Sequence, residues 1–481
     1  MPRYARAVNE KNPFAPEVER VPFLLMLDAL SFERLTGEER ERAEFLCELC
    51  WTDAIDALWG WEGTPIVGNI PQTELRPVMN DDRSVGLVGE PPGGFIGGVR
   101  VWSQFAKLSD HYGYEGAERE WFTYYASLSH FHHHSKRHYI VTADERLLAE
   151  SEEESGFFRT GQHRFVPVSH ALFLCGLVMK AHGKVFYESP QPGHTIYTTS
   201  HSMYEWLAMD LIASRRRLFD CMKREGEEQQ DFYRSEREAL VESVFDRVGD
   251  ILHARDRIAL VNGRHQNAGT LNENRYDLGS MIGSAAGVFD TIAVLAHIAF
   301  PFELNPKAGD AAISLRRSDF RKGLKGAGAL RLAAKASKMA PLMNFIWGLR
   351  NPLFHREGLP GYTVHVLGSG RESQESQITL STKQVELLKE LCGHRCESPK
   401  LWGLNDREAK GIDPSVEPFP FGLRLSLVTI EAVDELVSAF ADDREAPYLE
   451  PSWTSEQHKM LRRFRWLSGL PQADLAVGRP P

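Results

Sequence analysis

Cysteine is scarce in this chain, and so is any segment that would carry it across a membrane. Six cysteines in 481 residues are too few to frame a disulfide scaffold, so a reducing compartment is expected. Cys47 and Cys50 form one CxxC, and Cys392 and Cys396 bracket Gly393-His394-Arg395. Neither has a second ligand pair at zinc-finger spacing. The opening stretch MPRYARAVNEKNPFAPEVER has no apolar h-region, so nothing in it directs secretion and a cytoplasmic location is expected. One apolar run, Met281 to Phe300, is long enough to span a bilayer. It carries Asp290 and His297 with no flanking anchors, so a buried core helix and no membrane association are expected. Positive charge is not in excess either. The net charge of −10 argues against indiscriminate coating of nucleic acid and leaves any RNA contact to local basic patches. No repeat or low-complexity tract stands out.

What is present is an ordinary globular composition, 42% hydrophobic and 25% charged, in a chain long enough for two or three domains with a substantial core. The first half alternates short apolar runs with helical patterns, the signature of an α/β domain with a parallel sheet. Val21 to Leu27 reads as a buried strand ending at Asp28. Thr36 and Glu39 then form a capping box for a helix running to about Leu58. Gly86 to Gly98 reads as an exposed loop. A helix from about Ala117 to His130, a strand at Tyr139 to Val141 and a short strand within Arg164 to Val168 follow.

From Tyr204 onward the apolar positions change to helical spacing, as in Tyr204, Leu207, Ala208, Leu211 and Ile212, and again in Val241, Val244, Phe245, Val248 and Leu252. Helix is expected almost throughout to Leu349, with breaks at Asn262 to Asn274 and Pro301 to Gly309. Ile378 to Leu380 reads as a short strand, Ser381 and Gln384 as the cap of another helix, and Leu423 to Phe440 as a strand followed by a core helix. The expected architecture is an α/β domain over 20–190, a mainly α-helical domain over 200–445 and a tail over 446–481.

The segment Arg350-Asn351-Pro352-Leu353-Phe354-His355 places a permanent cation and a titratable imidazole near the end of the helical region. Metal-independent RNA cleavage needs both: an acid or base working near neutral pH, and a cation where charge builds on the phosphate. On an ideal helix the two residues lie about 140° apart around the axis. Pro352 disfavours helix at Asn351, so a kink or a new helix is expected to bring them together. The alternative is that Arg350 caps a helix C-terminus and His355 packs in the core beneath Trp347 and Phe354. Just upstream, Arg316, Arg317, Arg321, Lys322, Lys325, Arg331, Lys335 and Lys338 face only Asp319. This excess of positive charge reads either as an RNA track, with Arg316, Arg317, Arg321, Lys322, Lys325 and Arg331 as its contacts, or as a solvated helix face.

The RNPLFH segment resembles the signature of HEPN ribonucleases, an Arg followed by a polar residue and then a His. The resemblance spans roughly Ser200 to Phe440. It implies a helical bundle with Arg350, Asn351 and His355 as catalytic residues, no metal at that site, RNA as substrate and a 2′,3′-cyclic phosphate as product. It also implies a homodimer whose protomers share one cleft, and the role of a toxin or anti-phage effector, with or without a neutralising partner chain.

In the first half, Asp28, Glu74 and Asp144 each follow a strand or an apolar run, with Glu118 and Glu120 on the intervening helix. Strand ends of an α/β sheet converge on one crevice, and carboxylates gathered there suit Mg²⁺ or Mn²⁺. FLLMLDALSFERL, IPQTELRP and YIVTADERLL resemble PIN-domain ribonucleases over about residues 20–185, which implies a metal-dependent nuclease site on these acids. Read from the residues alone, Asp144 equally caps the helix that follows it, Asp28 is a turn residue and Glu74 a surface carboxylate. The cluster His130, His132, His133, His134 and His138 reads as a solvated helix end.

Overall fold

The computed structural model describes residues 23–32, 34–49, 55–59, 75–79, 85–89, 96–99, parts of 107–129, 139–152, 165–181, 185–188, 195–198, 200–226, 231–263, 266–304, 312–355, 359–368, 371–405, 414–446 and 454–470. The chain divides into two compact units at Val178/Met179.

In the first unit, β1 (Phe23–Leu27) lies at the centre of a four-stranded sheet ordered β2-β1-β6-β7, with β2 at Ile55–Trp59, β6 at Tyr139–Val141 and β7 at Phe165–Val166. All three pairings are parallel. A parallel strand covered on both faces reads as one apolar run without alternation, and FLLML does so: Leu25, Met26 and Leu27 are all buried. Two short helices, α1 (Ala29–Phe32) and α2 (Gly37–Leu49), follow β1. The helix expected to reach Leu58 therefore stops nine residues earlier, because Ile55–Trp59 is claimed as the parallel partner of β1.

Of the segment expected as a loop over Gly86 to Gly98, residues 86–89 and 96–98 instead belong to an antiparallel sheet of β3 (Leu75–Met79), β4 (Val85–Gly89) and β5 (Ile96–Val99), with a register irregularity between Val85 and Leu87, and residues 90–95 lie outside the described residues. After β6 comes α3 (Glu145–Glu152), and after β7 comes α4 (Val168–Ala181). The core that fixes the strand ends is a cluster of Met26, Phe122, Tyr125, Ala126, Ile140, Leu147 and Phe165.

The second unit opens with a hairpin of β8 (Val185–Glu188) and β9 (Thr195–Thr198) and is then mainly helical: α5 (Ser200–Leu211), α6 (Arg215–Gly226), α7 (Asp231–Asn262) and α8 (Ala268–Ala299). Val241, Val244, Phe245, Val248 and Leu252 are buried, as their spacing requires. The expected break from Asn262 to Asn274 is shorter in the structure. Asn267 accepts from the N–H groups of Gly269 and Thr270, and the Thr270 hydroxyl caps Asn267 in return, so α8 starts at Ala268. By length and hydropathy α8 would span a membrane, yet it packs against α7 and two later helices and most of it is buried. It is a core helix of this unit.

Next come α9 (Ser318–Gly326), α10 (Leu330–Lys338) and α11 (Ala340–His355). An antiparallel hairpin of β10 (Gly361–Gly368) and β11 (Arg371–Thr379) joins two short strands, β12 (Leu404–Asn405) and β13 (Ser415–Val416), in the order β10-β11-β13-β12. Between them α12 (Thr382–Arg395) carries the expected capping box of Ser381 and Gln384.

α13 (Pro418–Asp443) is one helix where a strand was expected at its start. Leu423, Leu425 and Leu427 mimic a strand alternation, but Pro418 at the first turn starts a helix and burial follows Phe421, Leu425, Val428 and Ala432. The segment expected as a tail contains α14 (Ser455–Leu467), capped by Thr454 and Gln457, with Met460, Leu461, Phe464 and Leu467 buried.

Candidate functional site

α11 is anchored by its apolar face. Phe345 meets the rings of Trp402 and Phe421 at 6.0 Å each, and Leu342, Met343, Ile346 and Leu349 are buried. Its last turns carry the RNPLFH residues, and of the two outcomes expected at Pro352 a new helix does not form: one helix runs on through Pro352 to His355. The reason is local. Proline has no N–H to give to the carbonyl four residues back, which is that of Gly348. Gln384 of α12 supplies the missing donor, its Nε2 giving a 3.1 Å hydrogen bond to the Gly348 carbonyl. Gly348 itself permits this approach, since a Cβ there would lie 2.7 Å from Leu387.

Arg350 and His355 thus lie five residues apart on the same helix. Asn351 is exposed. The side chain of His355 lies outside the described residues.

Arg350 lines a cleft of about 510 Å³ with Arg247 of α7 and a face of α8. The α8 face presents Gly279, Ser280, Gly283, Gly287, Asp290 and Val294, one stripe at three- and four-residue spacing. Arg247 crosses from α7 onto this stripe. A Cβ on Gly287 would sit 2.2 Å from the Arg247 guanidinium, so the absence of a side chain at 287 is what lets the guanidinium lie against the helix. Arg247 Nε also meets Ser243 Oγ at 3.3 Å. Burial pushes Asp290 above the usual carboxylate range, while Arg350, Arg247 and Arg316 pull it the other way. Three arginines from three elements therefore bear on one carboxylate. Arg350 and Arg316 each place a guanidinium 5.5 Å from the Trp347 ring, a cation–π arrangement.

The basic run ahead of α11 is more nearly balanced than its sequence suggests. Arg317 pairs with Asp319 at 2.7 Å, Arg331 with Asp442 at 3.4 Å and Lys335 with Glu435 at 2.7 Å. Arg321 donates to the carbonyl of Leu315 at 2.8 Å. Among the described residues, Lys322 and Lys325 have no acidic partner. Of the six residues expected to contact RNA, only Arg316 joins the Arg350 cluster.

In the first unit, Asp28 and Asp144 follow the adjacent strands β1 and β6, at the point where the strand order reverses. The fold does bring these two acids to one crevice, as parallel topology requires. Asp28 is fully buried. Its Oδ2 accepts from Tyr125 Oη at 2.9 Å and Thr142 Oγ1 at 2.8 Å, and its Oδ1 lies 3.4 Å from the Ser31 N–H. Asp144 Oδ1 accepts from the N–H groups of Arg146 and Leu147 at 3.0 and 3.3 Å, and Oδ2 from Trp121 Nε1 at 3.0 Å. It is thus the N-terminal cap of α3. Burial, then Asp28 and Asp144, hold the Tyr125 phenol far above its usual range, so it stays a donor.

Glu118 is exposed, while Glu74, Glu120 and the histidines from 130 to 138 lie outside the described residues. Each carboxylate oxygen of Asp28 and Asp144 faces a protein donor, and among the described residues no group of three His, Cys, Asp or Glu side chains is disposed to hold a metal ion.

No family model, curated protein or solved structure matches this chain. The site is accordingly argued from geometry. Sequence reasoning singled out Arg350 but missed Arg247 and the role of Asp290. Two signals were present: glycine at every fourth position over Gly279, Gly283 and Gly287, and a carboxylate within an otherwise apolar run.

Proposed function

We propose that the protein is an endoribonuclease that cuts RNA without a metal, with Arg350 and His355 as its catalytic pair and Asn351 as an orienting neighbour. The observation that carries this reading is the arginine-lined cleft at Arg350, a site suited to a phosphate. In the reaction the 2′-oxygen bonds to phosphorus and the P–O5′ bond breaks. The proton of the 2′-OH passes to an imidazole, and the leaving oxygen takes up a proton. Arg350 stabilises the charge on the pentacoordinate phosphate. The products are a 2′,3′-cyclic phosphate end and a 5′-hydroxyl end.

The RNPLFH resemblance calls for a homodimer in which each protomer contributes its Arg350 and His355 pair to one shared cleft. A growth-arresting or anti-phage role rests on the RNPLFH resemblance alone.

The test is cleavage of a mixed RNA substrate by wild type, Arg350→Ala and His355→Ala, each with and without EDTA, with the product ends identified. EDTA-resistant cleavage to cyclic phosphate, lost in both variants, is the expected result. Cleavage that survives His355→Ala but dies in EDTA would transfer the chemistry to a PIN-like site at Asp28 and Asp144 with Glu74, Glu118 or Glu120. The second reading is a non-catalytic dimerising module that binds nucleotide or protein. No cleavage under any condition would support that reading.

A further inference from the structure

The cleft beside Arg350 contains more than a catalytic arginine requires. Gly279 and Val294 mark the ends of the α8 stripe that lines it, fifteen residues and about 22 Å apart along the helix. That is longer than a single phosphate or a mononucleotide needs. Glycines 279, 283 and 287 keep the floor flat, so a chain can lie close to the helix backbone. Near its middle, at Gly287 and Asp290, Arg247 and Arg350 approach from α7 and α11, and Arg316 shares Trp347 with Arg350. With Asp290 among them, the cluster carries a net excess of two positive charges.

Two other polar groups of the cleft are engaged in internal bonds. Thr291 Oγ1 donates to the Gly287 carbonyl at 2.9 Å, and Ser284 Oγ lies 3.5 Å from Asp250 Oδ2. Two arginines part-way along a shallow, glycine-floored trough match a phosphodiester backbone, with sugar and base on the glycine floor beside it. They do not match an apolar helix, which would leave the guanidiniums facing hydrocarbon.

We propose that the α7/α8 cleft is a substrate-binding groove for single-stranded RNA, in which Arg247 holds a phosphate adjacent to the one at Arg350 while the glycine stripe of α8 carries the neighbouring nucleotide. This rests on the ribonuclease reading and extends it to residues outside the RNPLFH segment. Arg247 is a positioning residue: it sets where the chain lies and leaves proton transfer to others. Gly287 is part of the same device, because any side chain there displaces the Arg247 guanidinium from the groove.

The experiment measures binding of a fluorescent 2′-O-methyl oligoribonucleotide, which lacks the attacking hydroxyl, to the full chain by anisotropy over a range of salt concentrations. Wild type is compared with Arg247→Ala, Arg247→Lys, Gly287→Ala and Ser280→Glu. The last is an exposed floor position whose substitution leaves the core untouched. Arg40→Ala, which breaks a surface ion pair on α2, serves as the charge control. Arg247→Ala, Gly287→Ala and Ser280→Glu are expected to weaken binding about tenfold, Arg247→Lys less, and Arg247→Ala to reduce the salt slope by about one. Arg40→Ala is expected to bind as wild type.

Unchanged affinity in Arg247→Ala and Ser280→Glu overturns the proposal. So does competition by 5′-AMP at the concentration at which the oligonucleotide binds, which would make the cleft a mononucleotide pocket. A shift of Ser280→Glu from dimer to monomer with RNA affinity unchanged also overturns it, because the stripe would then be a protein interface. Cleavage of the unmodified RNA, followed in parallel, separates the two claims. Wild-type cleavage with an indifferent Arg247 sinks the groove alone, and Arg247-dependent binding without cleavage sinks the nuclease alone.

Discussion

Replacing Gln384 by glutamate removes one hydrogen-bond donor from α11 and leaves the cap of α12 in place. In the native protein Gln384 acts twice. Its Oε1 accepts from the Ser381 N–H at 2.8 Å, and its Nε2 donates to the Gly348 carbonyl orphaned by Pro352. A glutamate keeps the acceptor and sits well in the first turn of α12, where the helix dipole favours an anion. It has nothing to give to the Gly348 carbonyl.

Leaving a buried carbonyl unpaired costs about 1–3 kcal/mol. Gly348 is half-buried, so a loss of about 1.5 kcal/mol is expected, roughly a tenfold rise in opening of the helix end. Gln384→Ala loses the cap as well and should add about 1 kcal/mol. Amide hydrogen exchange of the peptide spanning 346–355 reads both directly, and on the proposed ribonuclease reading RNA cleavage should fall with it, because that stretch carries Arg350 and His355. If Gln384→Glu leaves exchange of this peptide at the wild-type rate while Gln384→Ala accelerates it, the Pro352 argument is wrong and only the α12 cap matters.

Three further outcomes follow from other parts of the fold. Asp28→Ala strands the Tyr125 and Thr142 hydroxyls in a fully buried site, so exchange across β1 and β6 should accelerate by about 3 kcal/mol, taken as two hydrogen bonds to a charged acceptor; protection of wild type by Mn²⁺ with a neutral Asp28→Ala effect would instead mark the residue as a metal ligand. Asp256 is buried between Lys180 and Arg255, with Arg255 Nη2 at 2.6 Å and Tyr204 Oη at 2.8 Å. Asp256→Ala leaves two buried cations uncompensated and should cost about 3–5 kcal/mol in urea unfolding, and a loss below about 1 kcal/mol would show that water reaches the cluster. Glu397 is drawn opposite ways: burial raises it, and hydrogen bonds from Arg424, Arg395 and Trp402 outweigh burial and lower it to about 2 from 4.5. With the folded value below the unfolded one, its contribution is complete above about pH 4.5 and lost as pH falls toward about 2. Glu397→Gln should flatten acid unfolding in that window, and an unchanged acid profile would refute the assignment.

Much of the local structure was legible because it depends on near neighbours. The apolar run FLLML could only be a covered parallel strand, Ser381 and Gln384 could only cap a helix, and the helical spacing around Val244 and Leu252 placed those residues inside. Asp28 and Asp144 were readable as a pair because parallel strands deliver their C-terminal ends to one crevice. That each carboxylate is occupied by hydroxyls, amides and an indole was not readable, since Tyr125 and Trp121 come from a distant part of the chain.

The same division holds at the candidate site. Sequence alone determined that a cation and an imidazole sit five residues apart near a helix end, because that is a matter of spacing. It could not choose between a new helix and a continued one at Pro352, since the donor that satisfies the Gly348 carbonyl, Gln384 Nε2, comes from another helix. The convergence of Arg247, Arg316 and Arg350 on Asp290 belongs to tertiary structure entirely. Those residues lie far apart in the chain, and what brings them together is the packing of α7, α8 and α11, with glycine at 287 making room for a guanidinium.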